Sequence, residues 1–160
     1  MTGDEAKPER RSIRFDSMEA ILEDAETLAG GSIRATGNCT PSQIFQHVAR
    51  AIHNSIDGYD VLGPERERKI AARRDRDQLL SQGLPPGIKL EGEMARYAPT
   101  EDVTLGEAMA YLRAGVERTR NERMEAVHPF LDTMDHEQWI QFHCRHAELH
   151  FSFLFPGMEN

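Results

Sequence analysis

Residues 135–155 have the sequence DHEQWIQFHCRHAELHFSFLF, whose spacing of apolar residues is that of a helix. At about 100° per residue, His143, His146 and His150 fall within a ~60° arc together with Trp139. The polar residues form one stripe on the opposite side, made of Gln141, Arg145, Glu148 and Ser152. A helix with a single polar stripe is expected to bury the rest of its surface, histidines included. Because burying an unpartnered imidazole costs free energy and neutral imidazole is the commonest metal ligand, the cluster predicts a metal site inside a helical protein.

Four segments begin with the same helix-start pattern, a polar N-cap residue followed by Glu or Gln three positions later. The pairs are Asp16 with Glu19, Thr40 with Gln43, Thr104 with Glu107, and Asp135 with Gln138. Apolar residues recur at helical spacing behind each pair. The four helices are expected to end at Gly30, near Gly58, before His128 and at Pro156. The predicted fold is all-α, an antiparallel four-helix bundle with a long crossover between helices 2 and 3.

The chain of 160 residues is long enough for one domain with a real core, predicted over residues 13–157. Residues 1–12 have the composition of a disordered tail. Residues 59–103 form a crossover insertion, in which residues 64–82 are expected to be an exposed charged helix. No stretch alternates convincingly in the manner of a β-strand.

The formal net charge of −8 argues against binding of nucleic acid through contacts to its phosphates, so no nucleic-acid partner is expected. No apolar run approaches the ~20 residues needed to span a bilayer, so no membrane partner is expected. The charged N-terminus lacks the apolar core of a secretory signal. Two cysteines, Cys39 and Cys144, do not make a disulfide framework and suit a reducing compartment. The expected location is the cytoplasm.

A metal site in a bundle needs ligands from more than one helix. His146 and His150 are spaced i, i+4, which lets two imidazoles bind one ion from adjacent turns. His47 lies at the edge of the apolar arc of the second helix, from which it can reach an interior site. For His143 three alternatives stay open: a third ligand, a hydrogen-bonding partner of a ligand, or a residue at the bundle mouth.

The remaining histidines are expected to take no part in the site. His53 projects to the polar side of the second helix and is predicted to face solvent. His128 and His136 belong to the linker and first turn around the last helix, where they are poorly placed for a deep site. Cys144 lies about 100° from the histidine cluster and is expected to pack as a small hydrophobe.

The stretch GNCTPSQIFQH at residues 37–47, followed by residues 49–52 and 55–58, resembles the DinB/YfiT-like metal-binding superfamily, and more narrowly an uncharacterised domain-of-unknown-function branch of it. Further matches are Phe15-Asp16-Ser17, Pro85-Pro86-Gly87, His128-Pro129 with Glu137-Gln138-Trp139, and the closing His146-Ala147-Glu148-Leu149-His150. Together the matches cover most of residues 13–155.

The resemblance implies a four-helix bundle that holds a divalent metal through His47, His146 and His150, with solvent completing the shell. Three protein ligands and an open position are typical of catalytic sites. Zn and Ni are the metals favoured for such a donor set. Related members include thiol-dependent transferases and isomerases that use low-molecular-weight thiols, so a small-molecule substrate or thiol is the expected partner. The resemblance also implies a homodimer.

The chain departs from the family pattern at three places. Cys39 stands where this branch often has tryptophan, and Phe153 stands where many members have glutamine. Leu131 and Asp132 replace a glycine-containing turn. None of these changes removes an expected ligand, but the first two alter the pocket, and the role of Cys39 stays open.

Three functions are compatible with these patterns. The favoured one is a metal-dependent enzyme that transfers a thiol or hydrolyses a small substrate, with His143 and the outward-facing Glu148 as candidate acids or bases. The alternative is a non-catalytic bundle that binds a metal or small ligand. The third is a structural bundle whose histidines bind nothing.

Overall fold

The computed structural model describes residues 7–59, 76–86, 95, 97–129 and 131–157. The chain is mostly helical, with helices α1 (Met18–Ala29), α2 (Pro41–Asp57), α3 (Leu105–Asn121) and α4 (His136–Phe151). Residues 76–82 are helical as well. The short strands are β1 (Ile33–Ala35), β2 (Val127–His128), β3 (Asp132–Thr133) and β4 (Leu154–Pro156). Residues 1–6 of the expected tail, and residues 60–75, 87–94 and 96 of the expected crossover, lie outside the described residues.

The starts of α2, α3 and α4 are confirmed as capping boxes. Thr40, Thr104 and Asp135 each accept a hydrogen bond from the backbone N–H three residues on, and the side-chain oxygen of the Glu or Gln there accepts one from the backbone N–H of the N-cap residue. This exchange satisfies two of the backbone donors that a helix start leaves unpaired. The predicted start of α1 was wrong by one position, because the N-cap is Ser17, whose side chain accepts from the backbone of Ala20.

The expected ends of α3 and α4 were wrong. α3 stops at Asn121, and the next residue, Glu122, is already extended. This early end lets the chain turn so that Met124 becomes fully buried and Ala126 donates its N–H to the carbonyl of Ser55. α4 stops at Phe151, five residues before the expected Pro156.

In the part of the chain that the structure describes, four short strands are a further departure from the all-α expectation. Antiparallel β1 and β4 pair Arg34 with Phe155, and antiparallel β2 and β3 pair Val127 with Thr133. Each strand has only two or three residues. Such strands are too short to show the two-residue alternation by which a strand is predicted. The β1–β4 pair fastens the end of α4 to the loop between α1 and α2.

The core lies between the four helices. α2 packs along α3 and also contacts α4, while α1 packs against α3 and α4. The main apolar cluster includes the fully buried Ile21, Phe45, Ile52, Leu112 and Phe151. A second cluster around Trp139, Met124 and Met134 lies at the start of α4. Among the described residues, no helix has both the length and the apolar character needed to cross a bilayer.

Part of the expected tail packs against the helices. The backbone N–H of Arg11 donates to Ser152 at 2.6 Å, and its guanidinium binds both carboxylate oxygens of Asp24 at 2.7 and 3.0 Å. The side chain of Arg10 also donates to Ser152, at 2.9 Å. These contacts lay residues 10–17 over one face of α4.

Candidate metal centre

Two helices bring three histidine side chains together. α2 carries His47, and α4 carries His146 and His150 on successive turns, so that both imidazoles of α4 point towards α2. The ring centroid of His47 lies 4.9 Å from that of His146 and 4.6 Å from that of His150. The two rings of α4 are 4.7 Å apart. The three residues expected from the sequence therefore meet at one place.

The nitrogen atoms of this trio are as close as ligands of one ion. One ring nitrogen from each of His47, His146 and His150 lies within 4.8 Å of the other two. The Nε2 atoms of His47 and His146 are 3.1 Å apart. Two imidazoles bound to zinc at about 2.0–2.1 Å with tetrahedral angles place their nitrogens about 3.3 Å apart. The spacing thus fits a metal ion of this kind.

The electrostatic environment keeps the three imidazoles neutral. Burial and the nearby Arg50 charge lower the pKa of His47 to about 4, although a hydrogen bond to the Tyr97 backbone opposes both effects. Burial and the neighbouring His47 lower the pKa of His150 to about 3. Burial, with His150 and His47 beside it, holds the pKa of His146 well below its usual range. Neutral rings offer lone pairs, which is the state that a metal requires.

The remaining ring nitrogens differ in their partners. The hydrogen bond between the His47 ring and the Tyr97 backbone fixes the orientation of that ring, as metal-binding histidines generally require. His146 Nδ1, by contrast, is buried and has no hydrogen-bond partner among the described residues. An unpaired buried polar atom costs free energy. A metal at Nε2 does not satisfy this Nδ1 atom, so the ring of His146 lacks the orienting partner that the ring of His47 has.

A family model described as "Protein of unknown function (DUF1569)" matches residues 7–157, almost the whole chain. The chain belongs to this DUF1569 family. Comparison with curated proteins and with solved structures finds no match. The expected membership of a domain-of-unknown-function family is thereby confirmed. The description of this family names no activity.

In this DUF1569 chain, His143 lies deeper than the trio and outside it. It is fully buried, stacks on Trp139 at 5.4 Å, and its Nε2 is 3.0 Å from the hydroxyl of Ser55. Because the Ser55 hydroxyl donates to the Ile52 carbonyl, His143 Nε2 must be the donor in this pair. Its Nδ1 then carries a lone pair, buried without a partner among the described residues. A place at the bundle mouth does not agree with this burial.

The expectation that His53 faces solvent was wrong. The ring of His53 is 8% exposed and stacks on Tyr111 at 4.1 Å. Its Nε2 is 3.0 Å from the Tyr111 carbonyl, and its Nδ1 is 3.0 Å from Nη1 of Arg118. α3 covers the side of α2 that the sequence marks as polar, and His53 is therefore a packed residue of the α2–α3 interface.

His128 and His136 form structural hydrogen bonds at the linker before α4. His128 is buried, and its Nδ1 accepts the backbone N–H of Leu131. Burial lowers the pKa of His128 to about 3. The Nδ1 atom of His136 accepts the backbone N–H of Met124. Neither ring belongs to the group of histidines that can share an ion.

The polar stripe of α4 is largely covered, which the helical pattern did not reveal. Arg145 and Glu148 are buried as an ion pair at 2.7 Å. The backbone of Phe15 exchanges two hydrogen bonds with them, accepting from Arg145 Nη2 at 2.5 Å and donating to Glu148 Oε2 at 2.8 Å. Glu148 is thus committed to residues 10–17 and is no acid or base for the histidine trio.

The two cysteines are both free. Burial raises the pKa of Cys144 to about 11, which agrees with its expected packing as a small hydrophobe. Burial also raises the pKa of Cys39, a half-buried residue packed against the main apolar cluster. Neither thiol is activated towards the thiolate by its surroundings.

A segment that the sequence did not single out closes the histidine site from one side. A crevice beside His47 is formed by α2 and residues 98–101, and it has no room for a water molecule. Within it, Gln46 and Arg50 of α2 hold the carboxylate of Glu101. The sequence signal that could have pointed to this contact is the pair of polar residues, Gln46 and Arg50, on either side of His47 in α2.

Proposed function

We propose that this chain is a DinB/YfiT-like four-helix bundle that binds one divalent transition-metal ion, zinc or nickel, through His47, His146 and His150. The observation that carries the proposal is the convergence of three neutral imidazoles from two helices within 4.8 Å. The ligand set is the one that the superfamily resemblance implies. Packing of α1 to α4 along one another agrees with the bundle.

We further propose that the metal serves a reaction, the transfer of a thiol or the hydrolysis of a small substrate. A bound ion of this kind lowers the pKa of a thiol or water to near neutrality and so supplies a nucleophile. The protein contributes three uncharged ligands, the burial of His146 and the orienting hydrogen bond that the His47 ring donates to the Tyr97 backbone. With three protein ligands, a position remains for the low-molecular-weight thiol or the water.

A second candidate is a non-catalytic bundle in which a metal or small ligand stabilises the fold. The observation in its favour is the closed crevice beside His47, which admits no water. A third candidate is a structural bundle whose histidines bind nothing, and the convergence of three imidazoles within 4.8 Å favours the metal site over it. The free cysteines agree with a cytoplasmic location, and a homodimer is proposed on the family resemblance.

Calorimetric titration of Zn²⁺ and Ni²⁺ into metal-free protein tests the site. Alanine at His47, His146 or His150 is expected to abolish tight binding, because each removal leaves only two protein ligands. His53→Ala is the matched control: His53 is as buried as His146 but contacts Tyr111 and Arg118, so binding should survive. If His47→Ala retains full affinity, the proposed ligand set is wrong.

Turnover separates the enzyme from the binding module. Metal-loaded protein is incubated with a low-molecular-weight thiol and an electrophile, or with an activated ester. Catalysis that disappears in His146→Ala supports the enzyme. Tight metal binding with no acceleration by any of these substrates would favour the non-catalytic alternative.

A further inference from the structure

A carboxylate-binding pair stands next to the histidine trio. Nε2 of Gln46 donates to one oxygen of Glu101 at 2.7 Å, and Nη1 of Arg50 donates to the other oxygen at 2.8 Å. The two donors are four residues apart on α2, one turn of the helix, and Gln46 directly precedes His47. Each oxygen of the carboxylate thus has a donor of its own.

The position of Arg50 is fixed by its surroundings. Its guanidinium lies 5.4 Å from the ring centre of Tyr97, within the range of a cation–π contact. Arg50 also lines the same crevice as His47. A fixed cation therefore stands at the edge of the proposed metal centre, where it can attract an anionic group of a molecule bound to the metal.

Glu101 belongs to the segment that closes the crevice. Residues 98, 99 and 101 line it opposite α2, and Tyr97, just before them, is buried and hydrogen-bonds the His47 ring through its backbone. The side chain of Glu101 is 39% exposed, and that of Arg50 is 26% exposed. Ion pairs at this exposure contribute little to stability, about 0–1 kcal/mol, so a competing carboxylate can displace Glu101 at small cost.

We propose that Gln46 and Arg50 are the recognition site for a carboxylate group of the substrate, and that Glu101 occupies it as an internal competitor when the crevice is closed. This inference rests on the proposed metal centre and names its substrate class, a small molecule with a carboxylate near its reactive group. When that carboxylate binds, it displaces Glu101 from Gln46 and Arg50. Residues 98–101 are then no longer held against α2, and the side of His47 that they cover becomes accessible.

Two thiols that differ in their charge test the proposal. Protein loaded with Co²⁺ is titrated with 3-mercaptopropionate and with 2-mercaptoethanol, and the thiolate–cobalt absorption band gives the affinity for each. The readout is the ratio of the two affinities, because any general opening of the crevice changes both alike. The proposal expects a wild-type preference for 3-mercaptopropionate that Arg50→Met reduces about threefold to fivefold.

Removing the internal competitor should act in the opposite direction. Glu101→Ala is expected to raise the preference for 3-mercaptopropionate by about fivefold, because the carboxylate of this ligand no longer has to displace the carboxylate of Glu101. Asp102→Asn is the matched control, since it removes a negative charge from the exposed neighbouring residue and should leave the ratio at the wild-type value.

The failures of the two proposals are distinguishable. If cobalt and both thiols bind but the ratio is the same in wild type, Arg50→Met and Glu101→Ala, the carboxylate site is refuted and the metal centre stands. If the protein takes up no cobalt at all, the metal centre is refuted and the carboxylate site with it.

Discussion

Buried neutral histidines make this protein sensitive to mild acid. His143 is fully buried and His128 is 7% exposed, and burial lowers the pKa of each to about 3. In the unfolded chain the same rings titrate near 6.5. As the pH falls below about 6.5, the unfolded chain takes up protons that the folded chain does not bind. The contribution of these histidines to the free energy of unfolding is therefore fully present above about pH 6.5 and decreases progressively as the pH falls towards the folded pKa values.

The size of the loss follows from the two pKa values. For each ring, every pH unit by which the solution lies below the unfolded pKa lowers the free energy of unfolding by about 1.4 kcal/mol. At pH 5, each histidine therefore lowers it by about 2 kcal/mol. His128 and His143 together should cost about 4 kcal/mol. The lowered pKa values of His47 and His150 act in the same direction and add to this loss. Domains are stable by about 5–15 kcal/mol, so the effect is large.

Urea denaturation of metal-free protein, followed by circular dichroism at pH 7 and pH 5, measures this loss. With a slope of about 2 kcal/mol per molar urea, the midpoint should fall by about 2 M. In His143→Gln the amide can still donate to Ser55 but does not titrate, so the pH-dependent part should shrink by about 2 kcal/mol. A midpoint that moves by less than about 0.5 M, or an unchanged pH dependence in His143→Gln, would refute the reasoning.

Three further predictions concern the rest of the molecule. Glu148→Gln leaves the buried guanidinium of Arg145 without its counter-charge and should lower the free energy of unfolding by about 3–5 kcal/mol in the same urea assay. The control Glu23→Gln, on the exposed face of α1, should change it by less than about 0.5 kcal/mol. His143 hydrogen-bonds Ser55 and none of the three ligands, so His143→Ala should leave zinc affinity within a few-fold of the wild type, as His53→Ala does; a loss of about 10–100-fold would show instead that His143 supports the centre. Light scattering at micromolar concentration should give the mass of a dimer, and a monomer mass unchanged by dilution or added metal would remove that prediction.

The helix starts and the histidine trio could be predicted from the sequence because both depend on short-range spacing. A capping box spans three residues, so Thr40, Thr104 and Asp135 are recognisable without any tertiary information. The i, i+4 spacing places His146 and His150 side by side on any helix. Spacing alone does not bring His47 to them: its place at the edge of the apolar arc allows the contact, and the superfamily resemblance implies it.

The covered polar residues could not be predicted because their cover comes from distant parts of the chain. Arg145 and Glu148 have the spacing of a solvated stripe, and they are buried by residues 10–17, which carry no helical periodicity. His53 was assigned to solvent for the same reason, since α3 packs over the polar side of α2. Likewise, Glu101 reaches Arg50 from a segment that sequence spacing does not connect to α2.

The metal content of the natively purified protein tests the central claim most directly. Elemental analysis of the wild type, after gel filtration without added metal or chelator, should find about one zinc or nickel ion per chain. His146→Ala, purified in parallel and folded by circular dichroism, should contain almost none. A wild-type protein free of transition metal that also fails to bind added Zn²⁺ or Ni²⁺, or a His146→Ala protein with the same content as the wild type, would contradict the account.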